Sequence, residues 1–270
     1  MSSSASDSWS VTSPTVEVTP ARRYWVAVDD SPATDAAFEW ALHRAQLRSA
    51  PLGLIVLDDD GASDDQNRDE AVDRLARRAS AVNHEIEVCP GTSLVEVLPD
   101  DLLIVGVPAG EQGRERGMRL AALAACSVAV IPEDYVTTGF GVVCGVDHLE
   151  NTAMIAAVAA EEAEQLDEPL LIIHAVPKSR APFAAPGSLD PAIRVARDAV
   201  RAVSERLRVS SRLSTHEPVA ALIEGAAHAA MLVVGGERVT SAGTVLGTLV
   251  RTTSVPLLIA RNEGAAELSR

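Results

Sequence analysis

Short apolar runs alternate along this chain with longer stretches in which apolar residues recur every three or four positions. The first run, "WVAV", stops on Asp29 and Asp30. Ser31-Pro32 then offers a cap followed by a proline at a first helical position, and Ala36, Ala37, Trp40, Ala41 and Ala45 recur at helical spacing. The same reading gives strands at "LGLIVLDDD", "HEIEVCPG", "DLLIVGVPAG" and "SVAVIP", helices at "RDEAVDRLARRASAV" and "GMRLAALAAC", and a short segment at "SLVEVL". Apolar runs without alternation, separated by amphipathic helices, predict parallel strands covered on both faces.

After the bridge "EDYVTTG" the series begins again. It runs through strand "GVVCGV", helix "NTAMIAAVAAEEAEQL", strand "PLLIIHAV", a loop from Pro177 to about Pro191, and helix "AIRVARDAVRAVSERLR". Strand "SSRLSTHE", helix "PVAALIEGAAHA", strand "AMLVVGG", loop and helix "ERVTSAGTVLGTLVRTT", and strand "VPLLIAR" complete it. Asp29 and Asp147 stand 118 residues apart, Gly106 and Gly235 129 apart. A tandem duplication with an insertion of about ten residues in the second copy, most naturally in the Pro177–Pro191 loop, accounts for both intervals. The expected architecture is two doubly wound, Rossmann-like α/β domains of five parallel strands each, over 22–134 and 138–262. The tails 1–21 and 263–270 lack an apolar period. The last strands, "SVAVIP" and "VPLLIAR", are apolar edges that would invite association if exposed, so they are expected to join the domains as an intrachain pseudo-dimer.

Composition then narrows the function. At 270 residues each half is long enough to bury a core of its own. A net charge of −15 argues against a nucleic-acid binder, because affinity for a phosphate backbone comes from Lys and Arg. No apolar run approaches the ~20 residues of a membrane span, and no secretory signal pattern opens the chain, so a cytoplasmic protein is expected. Cys89, Cys126 and Cys144 are odd in number and form no C-x-x-C pair, so they read as buried hydrophobes.

In an open parallel sheet ligands bind beyond the carboxyl ends of the strands, where the strand order reverses. Asp29 and Asp147 sit on that rim, and a carboxylate there suits a ribose hydroxyl or an exocyclic amine. Asp30 and Ser31 are expected to take the capping work and leave Asp29 freer for ligand; in the second copy that work falls to Asn151 or Thr152. A phosphate site needs backbone amides and glycines between a strand and a helix. The second copy supplies Gly235, Gly236, Gly243 and Gly247 with the hydroxyls of Ser241, Thr244 and Thr248; the first has Gly106, Gly110, Gly113 and Gly117 but adds Glu111 and Glu115. His148 and His174 raise a metal or acid–base site as a minor alternative to simple hydrogen bonding. No nucleophile elbow, P-loop or Ser/His/Asp order appears, so no catalytic residue and no metal ligand is assigned.

These segments resemble the universal stress protein family in its tandem two-domain form. "VAVDDSPATDAAFEWAL" and "VVCGVDHLENTAMIAAV" are similar to its first strand and helix, "LLIIHAV" to its second strand, and "LVVGGERV…GTVLGTLVRTTSVPLLIAR" to its glycine loop and last strand. The resemblance implies a stress-response regulator that holds ATP, with Mg2+, through G-x2-G-x9-G-[S/T] and the first-strand aspartate. In domain 2 the implied contacts are Gly145, Val146, Asp147, Ala175 and Gly235. Arg238 stands at the second glycine position. The final pair is Gly247-Thr248 in one register, displaced by a residue from the motif, and Gly243-Thr244 in another. In domain 1 they are Ala27, Val28, Asp29, Leu57, Gly106 and, after a one-residue shift, Gly110, while Ala109, Arg119 and Leu120 depart from the motif. An unknown protein partner and a homodimer are further expectations. Two other readings stay open: a nucleotide-free scaffold acting through protein contacts, and a weak nucleotide hydrolase.

Overall fold

The computed structural model describes residues 22–29, 31–56, 65–89, 100–135, 138–147, 149–176, 190–236 and 244–261. The first half contains β1 (Tyr24–Val28), α1 (Pro32–Arg48), β2 (Leu52–Val56), α2 (Asp65–Ala81), β3 (Ile86–Cys89), β4 (Leu102–Val107), α3 (Glu111–Leu123) and β5 (Ser127–Pro132). The second contains β6 (Val142–Val146), α4 (Leu149–Leu166), β7 (Leu170–Ala175), α5 (Pro191–Val203), β8 (Val209–Ser214), α6 (Pro218–Ala226), β9 (Met231–Gly235), α7 (Val245–Thr252) and β10 (Leu257–Ala260).

The strands form one sheet in the order β3-β2-β1-β4-β5-β10-β9-β6-β7-β8. All neighbours are parallel except β5 and β10, which pair antiparallel. The joint expected between the two last strands is therefore present as a hydrogen-bonded ladder. It leaves neither apolar edge exposed and makes the sheet continuous across the halves. Alternate residues along each strand enter opposite cores. Tyr24, Val26 and Val28 pack with Phe38, Ile104 and Ala129 on one face, and Trp25 and Ala27 with Leu103, Val105 and Val128 on the other. Both cores run on into the second half, through Cys144, Ile172 and Leu258 and through Val143, Leu232 and Leu257.

A pseudo-two-fold relation is written in the intervals themselves. Ala129 pairs with Leu258, 129 positions on, which is also the spacing of Gly106 and Gly235. Arg44 on α1 meets Glu162 on α4, 118 positions on, which is the spacing of Asp29 and Asp147. Each residue thus touches its own counterpart, as residues on a two-fold axis must. A homodimer of either half would set arginine against arginine or glutamate against glutamate there. Duplication allows opposite charges. Glu162 is fully buried and accepts from Arg44 Nε at 3.2 Å and Arg48 Nη2 at 3.0 Å. The Arg44 guanidinium lies 3.6 Å from the centroid of the Trp40 ring. Burial pulls Arg44 below its ordinary pKa against the opposing pull of Glu162. Arg114 donates to the Arg251 carbonyl at the end of α7, and Arg261 to the Ala121 and Ala124 carbonyls at the end of α3, so each half caps a helix of the other.

Several boundaries differ from expectation. α5 stops at Val203 because Ser204 turns to extended backbone (φ −151°, ψ 123°) to enter β8. α3 begins at Glu111, six residues before the predicted start, and α4 at Leu149, which puts Asn151 and Thr152 inside its first turn instead of at a cap. The segment "SLVEVL" and the Pro177–Pro191 insertion, up to 189, lie outside the described residues. Cys89, Cys126 and Cys144 are buried and form no disulfide, as expected of small hydrophobes.

Candidate ligand cleft at the carboxyl end of the second half

In each half the chain crosses from one face of the sheet to the other between the first and fourth strands, β1/β4 and β6/β9. That is where an open parallel sheet presents a crevice. In the second half a cleft of about 280 Å³ opens there, near the lower end of the range for small-molecule sites. Its walls are Gly145, Val146 and Asp147 at the end of β6, Ile173 and Ala175 on β7, Gly235 and Gly236 after β9, and Thr244 at the head of α7. Pro218, Leu222, Val245 and Leu246 add apolar surface. Six of the residues carried over by resemblance thus meet around one space: Gly145, Val146, Asp147, Ala175, Gly235 and Thr244. Arg238 and Gly243 lie outside the described residues, as do Leu57, Asp30 and His148.

Gly247 and Thr248 do not join them. α7 begins at Val245 with Thr244 as its N-cap, and the Thr244 hydroxyl accepts from Gly247 N at 3.1 Å. Thr248 is one turn inside the helix and its hydroxyl donates to the Thr244 carbonyl at 3.0 Å. The amide and hydroxyl that the Gly247-Thr248 register would present to a phosphate are therefore spent within the helix. The Gly243-Thr244 register places its hydroxyl residue at the helix start, where the amides of Val245 and Leu246 have no preceding turn to receive them.

Domain 1 is built otherwise. Asp29 is almost buried, and its Oδ1 accepts from Ser31 N at 2.9 Å, Ser31 Oγ at 2.5 Å and Thr34 Oγ1 at 2.6 Å. Its Oδ2 is held by Arg116 Nη1 at 2.8 Å. The expectation that Ser31 would cap α1 and release Asp29 is corrected: the Ser31 side chain makes no capping bond and turns its hydroxyl to Asp29 instead. Ala27 and Val28 are buried strand residues. Gly106 serves packing, since a Cβ there would lie 2.2 Å from the Ala33 carbonyl oxygen of α1. Gly110 precedes α3 at φ +103°, a conformation that favours glycine.

Arg116 escaped the sequence reading. The signal was the 129-residue interval, which sets Arg116 against Val245. His174 bonds Asp190 at 2.8 Å, and Asp190 in turn caps α5 by accepting from Ile193 N at 3.1 Å. Among the described residues no group of three or more His, Cys, Asp or Glu could hold a metal ion, and no helix is long and apolar enough to cross a membrane.

A tandem α/β chain with a crevice at its topological switch point and a carboxylate on the rim is the class these features define. No protein-family model matches the chain, and neither does any curated protein. Among solved structures it is similar to a universal stress protein from Archaeoglobus fulgidus DSM 4304, at 14% identity over 88% of this chain and 98% of that one, with a TM-score of 0.68. It is also similar to a protein from Pseudomonas aeruginosa UCBPP-PA14 assigned to the universal stress proteins, at 17% identity over 91% and 95% of the two chains, TM-score 0.56. The chain has the universal stress protein fold, two domains in tandem.

Proposed function

We propose that the chain is a cytoplasmic regulatory protein of the universal stress type that binds one adenine nucleotide in domain 2. The observation that carries this reading is the cleft, in which residues from β6, β7, β9 and the head of α7 converge on Asp147 and Thr244. The apolar walls at Ile173, Ala175, Pro218 and Leu222 suit a purine, and Asp147 suits a ribose hydroxyl or the exocyclic amine, both of which donate to a carboxylate. Phosphate charge would fall on the head of α7 and on Mg2+. We read the cleft as one of binding and not of turnover, since its described lining holds no Ser, Cys, His or Lys.

Titration calorimetry with ATP and Mg2+ tests it. The expected result is one site per chain, weakened at least tenfold by Asp147→Ala. No heat at millimolar nucleotide would overturn the reading and leave the nucleotide-free scaffold.

A further inference from the structure

We propose that Arg116 is the built-in occupant of the ligand position in domain 1, and that its side chain keeps an adenosine-sized ligand off Asp29. The inference rests on the reading of domain 2 just given and extends it to the half where the same rim is present.

A carboxylate has about four acceptor positions. On Asp29 three donors from its own loop and helix crowd Oδ1, and Oδ2 is held by a guanidinium. That guanidinium comes from the second turn of α3. Helical side chains lean toward the helix N-terminus, which brings this one back over the strand ends. Arg116 thus stands where a ligand hydroxyl or amine would, with the advantage of charge and of being covalently present.

The second half differs at the two corresponding places. Leu149 stands where Ser31 does, and Val245 where Arg116 does. Val245 lines the open cleft, and Asp147 is exposed while Asp29 is not. α3 also begins five residues earlier than α7 in this register, which gives the arginine a helical base from which to reach. Of the two differences Arg116 is the charged one and the one on Oδ2, so its removal is expected to free that oxygen for a ligand, and an arginine at position 245 to close domain 2.

The test is calorimetric titration of the full chain with adenosine, and separately with ATP and Mg2+, comparing wild type, Arg116→Val, Arg116→Val/Asp29→Ala and Val245→Arg. The expected result is that Arg116→Val gains one adenosine site per chain over wild type, that Asp29→Ala removes the gained site, and that Val245→Arg weakens the domain 2 site at least tenfold. If Arg116→Val, folded by circular dichroism, gains no site for either probe, the proposal is overturned, whatever the wild type binds. A wild type that binds nothing would instead overturn the reading of domain 2, and the gain in Arg116→Val would still decide the role of Arg116.

Discussion

Replacement of Glu162 by alanine should cost the protein a large part of its stability. Glu162 belongs to the second half, is fully buried, and is the shared acceptor for two arginines of the first. Arg44 has a side chain only 5% exposed, so without Glu162 its charge stays inside with the Trp40 ring and the Met231 sulfur as neighbours. Arg48 is 22% exposed and can swing to water. Breaking a buried pair by removing one partner costs about 3–5 kcal/mol, against a total stability of about 5–15 kcal/mol. At about 2–4 °C per kcal/mol this corresponds to a fall in Tm on the order of 10 °C. Urea and thermal unfolding followed by circular dichroism measure it. Arg48→Ala should cost about 1 kcal/mol, in line with its access to water. The double variant Arg44→Leu/Glu162→Leu should recover to within about 1 kcal/mol of wild type, because an apolar pair of suitable volume replaces a buried ion pair with little loss. A loss below about 1 kcal/mol in Glu162→Ala would refute the reasoning that this pair ties the halves together.

Three further outcomes follow from particular residues. Gly106→Ala should destabilise by about 1–3 kcal/mol or more, since its Cβ would meet backbone, the Ala33 carbonyl, and not a movable side chain; urea midpoints measure this. Burial pushes the Cys144 thiol up to about 12 from 9.0, so the folded state keeps a proton that the unfolded chain releases. The stability this confers is present below pH 9 and is lost as pH rises toward 12, so midpoints should fall over that window, less steeply in Cys144→Ala. Thr244→Ala should cost about 1 kcal/mol through the lost cap on Gly247 N and should weaken nucleotide binding in the same calorimetric titration.

The alternation of runs and amphipathic stretches was enough to place eight of the ten strands along the chain, because strands covered on both faces are continuously apolar and helices are not; β3 and β8, at the two edges of the sheet, are largely polar and fall outside that rule. The joint between β5 and β10 was legible for the same reason, since two apolar edges cannot both face water. Helix ends were harder to read. The early start of α3 depends on a glycine at positive φ, and the early stop of α5 on the approach of β8; neither leaves a periodic trace. On the rim, Asp147 and Thr244 were legible as residue types at strand and helix ends, whereas the choice between two loop registers depended on where α7 actually begins. Arg116 was missed because the 129-residue interval sets it against Val245 but does not report its contact with Asp29, 87 positions away on another element.

Native mass spectrometry of the purified chain, before and after addition of ATP and Mg2+, tests the central claim most directly. A mass increase of one adenine nucleotide per chain, absent in Asp147→Ala and unchanged in Asp29→Ala, is the result predicted here. A bare chain under both conditions, or a nucleotide that survives Asp147→Ala and is lost in Asp29→Ala, would contradict the placement of the site in domain 2.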